Sequence, residues 1–303
     1  MRRRAPSHGR RALWVRAIVD TVDLRTQSRA ELIARAERAL GVRLLPEQAV
    51  CKRRSLGMAT ERGTWVRISV SPAEDAAERG GLEATAALPT SVRHPRWHQG
   101  VCWYDGELLW RAEETELVTD PVIQPGGGVL ATDPQLPQVW WHQLSDALSE
   151  LSTVSTSRVA TPHTRPITQQ RVTSTIQAVF PDVETTIEEW TLAHADFSWV
   201  NVTAPTCRIL DWEDFGLAPR GWDAATLWVN SLAVPALAEQ VQRVFAADLG
   251  SRTGLLCQLH ACAELLVAGE DYAGPLAAPV RNAAERLVTA LSRHGPLTAA
   301  GRR

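Results

Sequence analysis

The sequence predicts an α/β (α+β) chain in two parts, a small antiparallel sheet followed by a larger, mainly helical part. Three stretches carry that prediction. Thr64 to Val70 alternates polar and apolar side chains, the period of a half-buried strand. Val101 to Tyr104 and Glu107 to Ala112 flank Asp105-Gly106, the dipeptide of a tight hairpin turn. From Leu227 onward the chain is apolar at helical spacing, punctuated by Pro235, Gly250, Gly254 and Gly274. At 303 residues it is long enough for two lobes, because domains usually run about 100 to 200 residues.

Taken in order, Met1 to Arg11 is arginine-rich and has no apolar period, so residues 1–25 are expected to form a disordered or extended basic segment. That segment is either a solvated tail or a binder of an acidic partner. The first part is expected over 26–116. Thr26 to Leu40 reads as its leading helix: Ser28 caps it, Glu31 completes a capping box, Leu32, Ala36 and Leu40 share a face, and Gly41 ends it. Ser55 to Gly63 leads into the Thr64 strand. Pro72 to Leu88 reads as a helix broken near Gly80 and Gly81, with Glu83 on its second half. Beyond the hairpin, the chain runs out into Glu113-Glu114-Thr115-Glu116. Thr119 to Pro137 then has a connector's composition, with Pro121, Pro125, Gly126-Gly127-Gly128, Pro134 and Pro137. The glycine run lacks the G-K-[ST] and the strand-to-helix setting of a phosphate loop.

The second part is expected over 117–303. Val139 to Leu151 sets Trp140, Leu144, Leu148 and Leu151 on one helical face, Ser152 to Thr164 is a polar loop, and Gln169 to Phe180 is a helix closed by Pro181. Trp190 to Leu227 breaks this pattern, because acids, an amide and a histidine stand there at spacings a core does not require. Val200 to Thr203 and Arg208 to Asp211 are β-prone runs joined by Ala204-Pro205-Thr206-Cys207, which suggests a hairpin. With Thr203 across from Arg208, Asn201 faces Leu210 and Asp211 is one step diagonal; a one-residue bulge sets Asn201 opposite Asp211. Paired side chains have Cβ atoms about 4.5 to 5.5 Å apart, near enough to share a small cation. An amide oxygen and a carboxylate are hard ligands, suited to Mg²⁺ that keeps other positions for water and phosphate oxygens. Asp196, on the loop feeding the hairpin, is placed to accept a hydrogen bond from an attacking hydroxyl. Together these residues make a phosphoryl-transfer constellation. Taken singly, they are also the residue types of turns and caps.

His194-Ala195-Asp196-Phe197-Ser198-Trp199-Val200-Asn201 resembles the H-G-D-x-x-x-x-N catalytic loop of the aminoglycoside phosphotransferase and choline kinase family. Ile209-Leu210-Asp211-Trp212-Glu213 resembles that family's I-D-W-x metal strand, and Gly221-Trp222-Asp223-Ala224-Ala225 its P-x-Y-D-L-A segment. The resemblance implies a bilobal protein-kinase-like fold, with a hinge near Glu113, that uses ATP (or GTP) and Mg²⁺. It implies Asp196 as catalytic base, Asn201 and Asp211 as Mg²⁺ ligands, Glu213 as an extra acid near the metal and Asp223 as a structural brace. His194 is read as orienting the loop or as a buried structural imidazole, with proton transfer its remaining role. Ala195 stands where glycine is usual. In the small lobe Arg67 stands where the family carries a phosphate-steadying lysine, with Lys52 the alternative and Glu83 the candidate partner of Arg67. Glu113 marks where main chain would meet adenine. Arginine keeps the charge but changes reach and geometry, and the neighbouring loop is short of glycines. Trp199 and Trp212 either pack under the catalytic loop or wall the acceptor site.

The implied reaction moves a γ-phosphoryl group to a hydroxyl of an antibiotic-like molecule, an amino alcohol, a sugar or a peptide Ser/Thr, the last alongside a partner enzyme in peptide tailoring. The alternative is a catalytically impaired kinase-fold protein that binds nucleotide or peptide as a partner subunit.

A formal net charge of −2 lacks the basic excess of a nucleic-acid binder. No apolar run approaches the roughly 20 residues that span a bilayer and no signal peptide is evident, so the expected location is cytoplasmic, with no membrane partner. Cys51, Cys102, Cys207, Cys257 and Cys262 form no C-x-x-C pair; Cys257, His260 and Cys262 fall in an apolar helical stretch that favours core packing over metal binding. Lys52 is the single lysine among 32 basic residues, which reads first as a genome-level preference for arginine.

Overall fold

The computed structural model describes residues 22–73, 82–162 and 165–293. They fall into two units: the described residues up to Ala87 with His94–Thr119, and Leu88–Arg93 with the described residues from Asp120 onward.

The first unit is a five-stranded antiparallel sheet in the order β1-β2-β3-β5-β4. Its strands are β1 (Val50–Cys51), β2 (Ser55–Ala59), β3 (Thr64–Pro72), β4 (Trp97–Asp105) and β5 (Leu108–Glu116). The alternation in β3 buries Val66, Ile68 and Val70 on one face, where they join Leu56, Met58 and Ala112. Helix α1 (Ala30–Leu40) adds Ala36 and Leu40 to this core and stops at Gly41, whose φ of 64° suits glycine. Ser28 does not cap it: the cap position falls one residue later, at Arg29, which makes no side-chain bond.

Residues 1–21 of the expected basic arm lie outside the described residues, whereas Val22 and Leu24 are buried in this core. The helix expected over Pro72 to Leu88 is not formed in its described parts, since β3 continues through Pro72 and Leu82–Ala87 is a 3₁₀ turn.

A second correction concerns β5, which does not run out at Ala112 but continues to Glu116. The polar run 113–116 stays in the sheet because Glu114, fully buried, accepts hydrogen bonds from Arg62 Nε (2.8 Å) and Nη2, Thr64 Oγ1 and Gln99 Nε2 (2.8 Å). Gln99 also donates to Leu40 O at 2.8 Å, which ties the end of α1 to the same group. Burial pushes the Glu114 carboxyl up, but these donors outweigh it and hold the pKa down at about 2.

The second unit contains helices α2 (Gln138–Leu151), α3 (Gln169–Gln177), α4 (Trp222–Val229), α5 (Pro235–Val244), α6 (Ala246–Leu249), α7 (Arg252–Ala268), α8 (Glu270–Ala273) and α9 (Ala277–Arg293). A two-stranded ladder, β6 (Trp190–Ala193) with β7 (Gly216–Pro219), lies among them. The centre is α7, which packs against α3, α4 and α9 and is apolar over most of its circumference. Gly254 does not break it: a Cβ there would come within 1.9 Å of Asp248 O, so glycine permits that close approach. Cys257, His260 and Cys262 are buried in α7; burial pushes the Cys262 thiol up to about 12 and His260 down to about 4, as core residues behave. No described helix is long and apolar enough to cross a membrane.

Candidate active site

The loop after β6 is held by an acid from α4. Asp223, buried, accepts from His194 N at 2.7 Å and Ala195 N at 2.8 Å, one bond to each carboxylate oxygen. Trp222 Nε1 adds a bond to Ala195 O at 3.2 Å. Burial pushes the Asp223 carboxyl above its usual range, against the pull of the imidazole and of these two N–H groups. Ala195 bends at φ 73°, a left-handed conformation that the double clamp sustains. The bend leads into half-buried Asp196, whose carboxylate has no hydrogen-bond partner among the described residues.

His194 is completely buried, and its Nε2 donates to Leu210 O at 2.7 Å. The ring lies edge-on to Trp212 and Phe197, with centroids 4.8 and 5.7 Å away. This environment supports the orienting role; a fully buried ring bonded to main chain is poorly placed to exchange a proton with substrate.

The hairpin forms in its regular register. Val202 bridges Ile209, Thr203 N donates to Arg208 O at 3.0 Å, and Leu210 N donates to Asn201 O at 2.8 Å. Asn201 therefore faces Leu210, and the considered bulge is not present. The second run ends at Leu210 because Asp211 turns left-handed, φ 64° and ψ 53°, into the 3₁₀ turn Trp212–Asp214. Two of the three non-glycine residues with positive φ among the described residues are thus Ala195, beside Asp196, and Asp211 itself.

Asn201 is buried, and its amide nitrogen donates to Asp196 O at 2.7 Å. That bond commits the NH₂ end and leaves the amide oxygen as the free acceptor, the atom a hard cation takes. Among the described residues no three His, Cys, Asp or Glu side chains group as a metal cage. An amide oxygen and a carboxylate are the hard donors that Mg²⁺ completed by water and phosphate oxygens would need. Glu213 is exposed on the turn that follows Asp211. Trp199 and Trp212 are buried, donating to Ser231 Oγ (3.0 Å) and Ile209 O (2.7 Å), so both pack under the loop.

No family model matches the chain, and no curated protein matches it in sequence. Solved structures do match. Aminoglycoside phosphotransferase APH(4)-Ia is similar at 12% identity, covering 85% of this chain and 99% of its own, with a TM-score of 0.52. Amicoumacin kinase hAmiN, in complex with AMP-PNP, Ca²⁺ and Ami, is similar at 11% identity, with 88% and 94% covered and a TM-score of 0.51. A mutant aminoglycoside 2'-phosphotransferase-IIIa bound to GDP is similar at 14% identity, with 88% and 97% covered and a TM-score of 0.51.

The chain shares its fold with these solved structures.

The sheet unit holds the remaining sequence candidates. Arg67 is half-buried on β3, paired with Gly57 on one side and Glu113 on the other. Glu113 lies within β5, between Arg67 and Gly100, and the first unit ends at Thr119. Its polar neighbours made the strand end early in the sequence pattern, and Glu114's buried hydrogen bonds are what extend it. Glu83 lies in the 3₁₀ turn Leu82–Ala87, and register makes Glu113 the acid directly across from Arg67. Lys52 is exposed in the β1–β2 turn. In the helical unit, a groove of about 710 Å³ between the start of α2 and α5 is lined by Gln138, Trp141, His142, Gln240 and Arg243, among others, and by none of the motif side chains.

Sequence reasoning missed the segment before α3. Residues 158–160 were expected in a polar loop, yet they run parallel to β7, with Val159 bridging Leu217. No periodicity marks a run this short.

Proposed function

We propose that the chain is an ATP- and Mg²⁺-dependent phosphotransferase that moves the γ-phosphoryl group to a hydroxyl of a small molecule. The observation that carries this reading is the single hydrogen-bonded unit made by residues 194–196, Asn201, Leu210 and Asp223, which joins three separate sequence motifs. Fold neighbours described as phosphotransferases and a kinase, two of them in complexes with AMP-PNP or GDP, support it.

In this reading Asp196 accepts the proton of the acceptor hydroxyl while its oxygen bonds to the γ-phosphorus and the bond to the β-phosphate bridge oxygen breaks. Asn201 and Asp211 would hold Mg²⁺, and the ion would supply neutralisation of phosphate charge. Asp223 and His194 keep the loop in place, and Arg67, across from Glu113 in the sheet, is the cation proposed to bind nucleotide phosphate. Most of the acceleration comes from positioning and electrostatics.

The test is transfer of labelled phosphate from ATP, with GTP in parallel, to a panel of aminoglycosides, amino alcohols, sugars and serine-rich peptides. Transfer is expected to a small hydroxyl compound and to fall about 10²- to 10⁴-fold in Asp196→Asn with nucleotide affinity kept. Transfer to peptides alone reassigns the acceptor. Nucleotide binding with no transfer or hydrolysis, unaffected by Asp196→Asn, supports the binding-subunit alternative, which the lysine-to-arginine change at Arg67 favours.

A further inference from the structure

We infer that Arg158 is a positioning residue for Asp211. The inference rests on the reading of Asp211 as a Mg²⁺ ligand. Asp211 is followed by the 3₁₀ turn Trp212–Asp214, too short to satisfy its own carbonyl groups. Two carbonyls just beyond Asp211 meet one guanidinium: Arg158 Nη2 donates to Glu213 O at 2.5 Å and Nε to Phe215 O at 2.7 Å. The same guanidinium covers the Phe215 ring, its central carbon 4.2 Å from the centroid. A planar fork with several fixed donors does all three at once; a lysine ammonium does not.

The main chain of Arg158 is fixed to the same stretch. Leu217 N donates to Arg158 O at 2.7 Å, Ala160 N to Leu217 O at 3.3 Å, and Thr161 N to Asp214 O at 3.1 Å, with Thr161 Oγ1 3.3 Å from Asp214 Oδ1. Gly216 makes the approach possible, because a Cβ there would lie 2.4 Å from Ala160 N and 2.5 Å from Val159 C. Residues 158–161 are thus a strap laid along 213–217, and Arg158 is the side chain that grips the turn Asp211 opens.

The consequence follows from the backbone at Asp211. A left-handed conformation is unfavourable for a residue with a side chain, so it is kept only while its surroundings hold it. With the carbonyls of Glu213 and Phe215 released to water, the turn relaxes and the Asp211 carboxylate loses its fixed direction. Groups that orient a metal ligand from behind typically change affinity or activity about 10- to 100-fold when removed.

The experiment measures Mn²⁺ binding by electron paramagnetic resonance in the presence of AMP-PNP, for the full chain, Arg158→Met and Arg158→Lys, with melting temperature recorded for each. Both variants are expected to weaken Mn²⁺ about 10- to 100-fold, and the Lys variant, which keeps charge and stem, carries the test if the Met variant does not fold. A folded variant with a lower melting temperature but an unshifted Mn²⁺ midpoint overturns the positioning role and leaves the phosphotransferase reading intact. Absence of nucleotide-dependent Mn²⁺ binding by the unsubstituted chain strikes the metal reading of Asp211 itself, and the inference falls with it.

Discussion

Ala195 occupies a left-handed position, φ 73°, where the resembling family carries glycine. The cost of about 1 to 2 kcal/mol for a side chain there is opposed by the two Asp223 bonds and the Trp222 bond that surround it. Ala195→Gly removes that cost but adds chain entropy to the unfolded state, about 0.5 to 1 kcal/mol. The net expectation is a stability unchanged or raised by up to about 1 kcal/mol, read from urea midpoints, with turnover retained. A loss beyond about 1 kcal/mol would mean the methyl group itself is packed to advantage. The same scale explains what was legible: Asp196, Asn201 and Asp211 stood out by type and spacing, whereas the left-handed turns that aim two of them depend on partners far along the chain.

At the scale of elements, β5 shows how one buried charge decides a boundary. Glu114 has a folded pKa of about 2 against 4.5 for the free side chain. A carboxyl depressed on folding contributes stability that is complete above the unfolded value and is lost as pH falls toward the folded one. The shift corresponds to about 3 kcal/mol, lost progressively between roughly pH 5 and pH 2. Equilibrium unfolding across that window should show a slope that Glu114→Gln reduces, and the substitution itself should cost about 1 to 3 kcal/mol at neutral pH. An unchanged acid profile in Glu114→Gln would show that Glu114 does not carry the slope. The capping box at Ser28 and Glu31 fails for the converse reason: local types matched, but the helix starts at Ala30, past the cap.

For the molecule as a whole, the two units each have a core of their own, one beneath a sheet and one around α7. A ligand that binds only the folded chain stabilises it by mass action, about 2.7 kcal/mol at a hundred times its dissociation constant. ATP with Mg²⁺ at that excess should therefore raise the melting temperature by roughly 5 °C or more. Asp196→Asn should keep this shift and Asp211→Asn should lose its Mg²⁺-dependent portion. A shift equal with and without Mg²⁺ in the unsubstituted chain would count against the metal assignment while leaving nucleotide binding in place.

By itself the sequence determined the order of the parts, sheet first and helices after, because period-two and helical apolar patterns are local and need no partner to be read. It also determined the catalytic-loop candidates, since chemistry restricts which side chains stand at those spacings. Only the tertiary structure decided that Glu113 lies inside a strand across from Arg67, that His194 is buried beneath the loop, and that Arg158 grips the turn after Asp211. Each of those depends on contacts between residues far apart in the chain, and a contact of that kind leaves no periodic trace in the amino acids that make it.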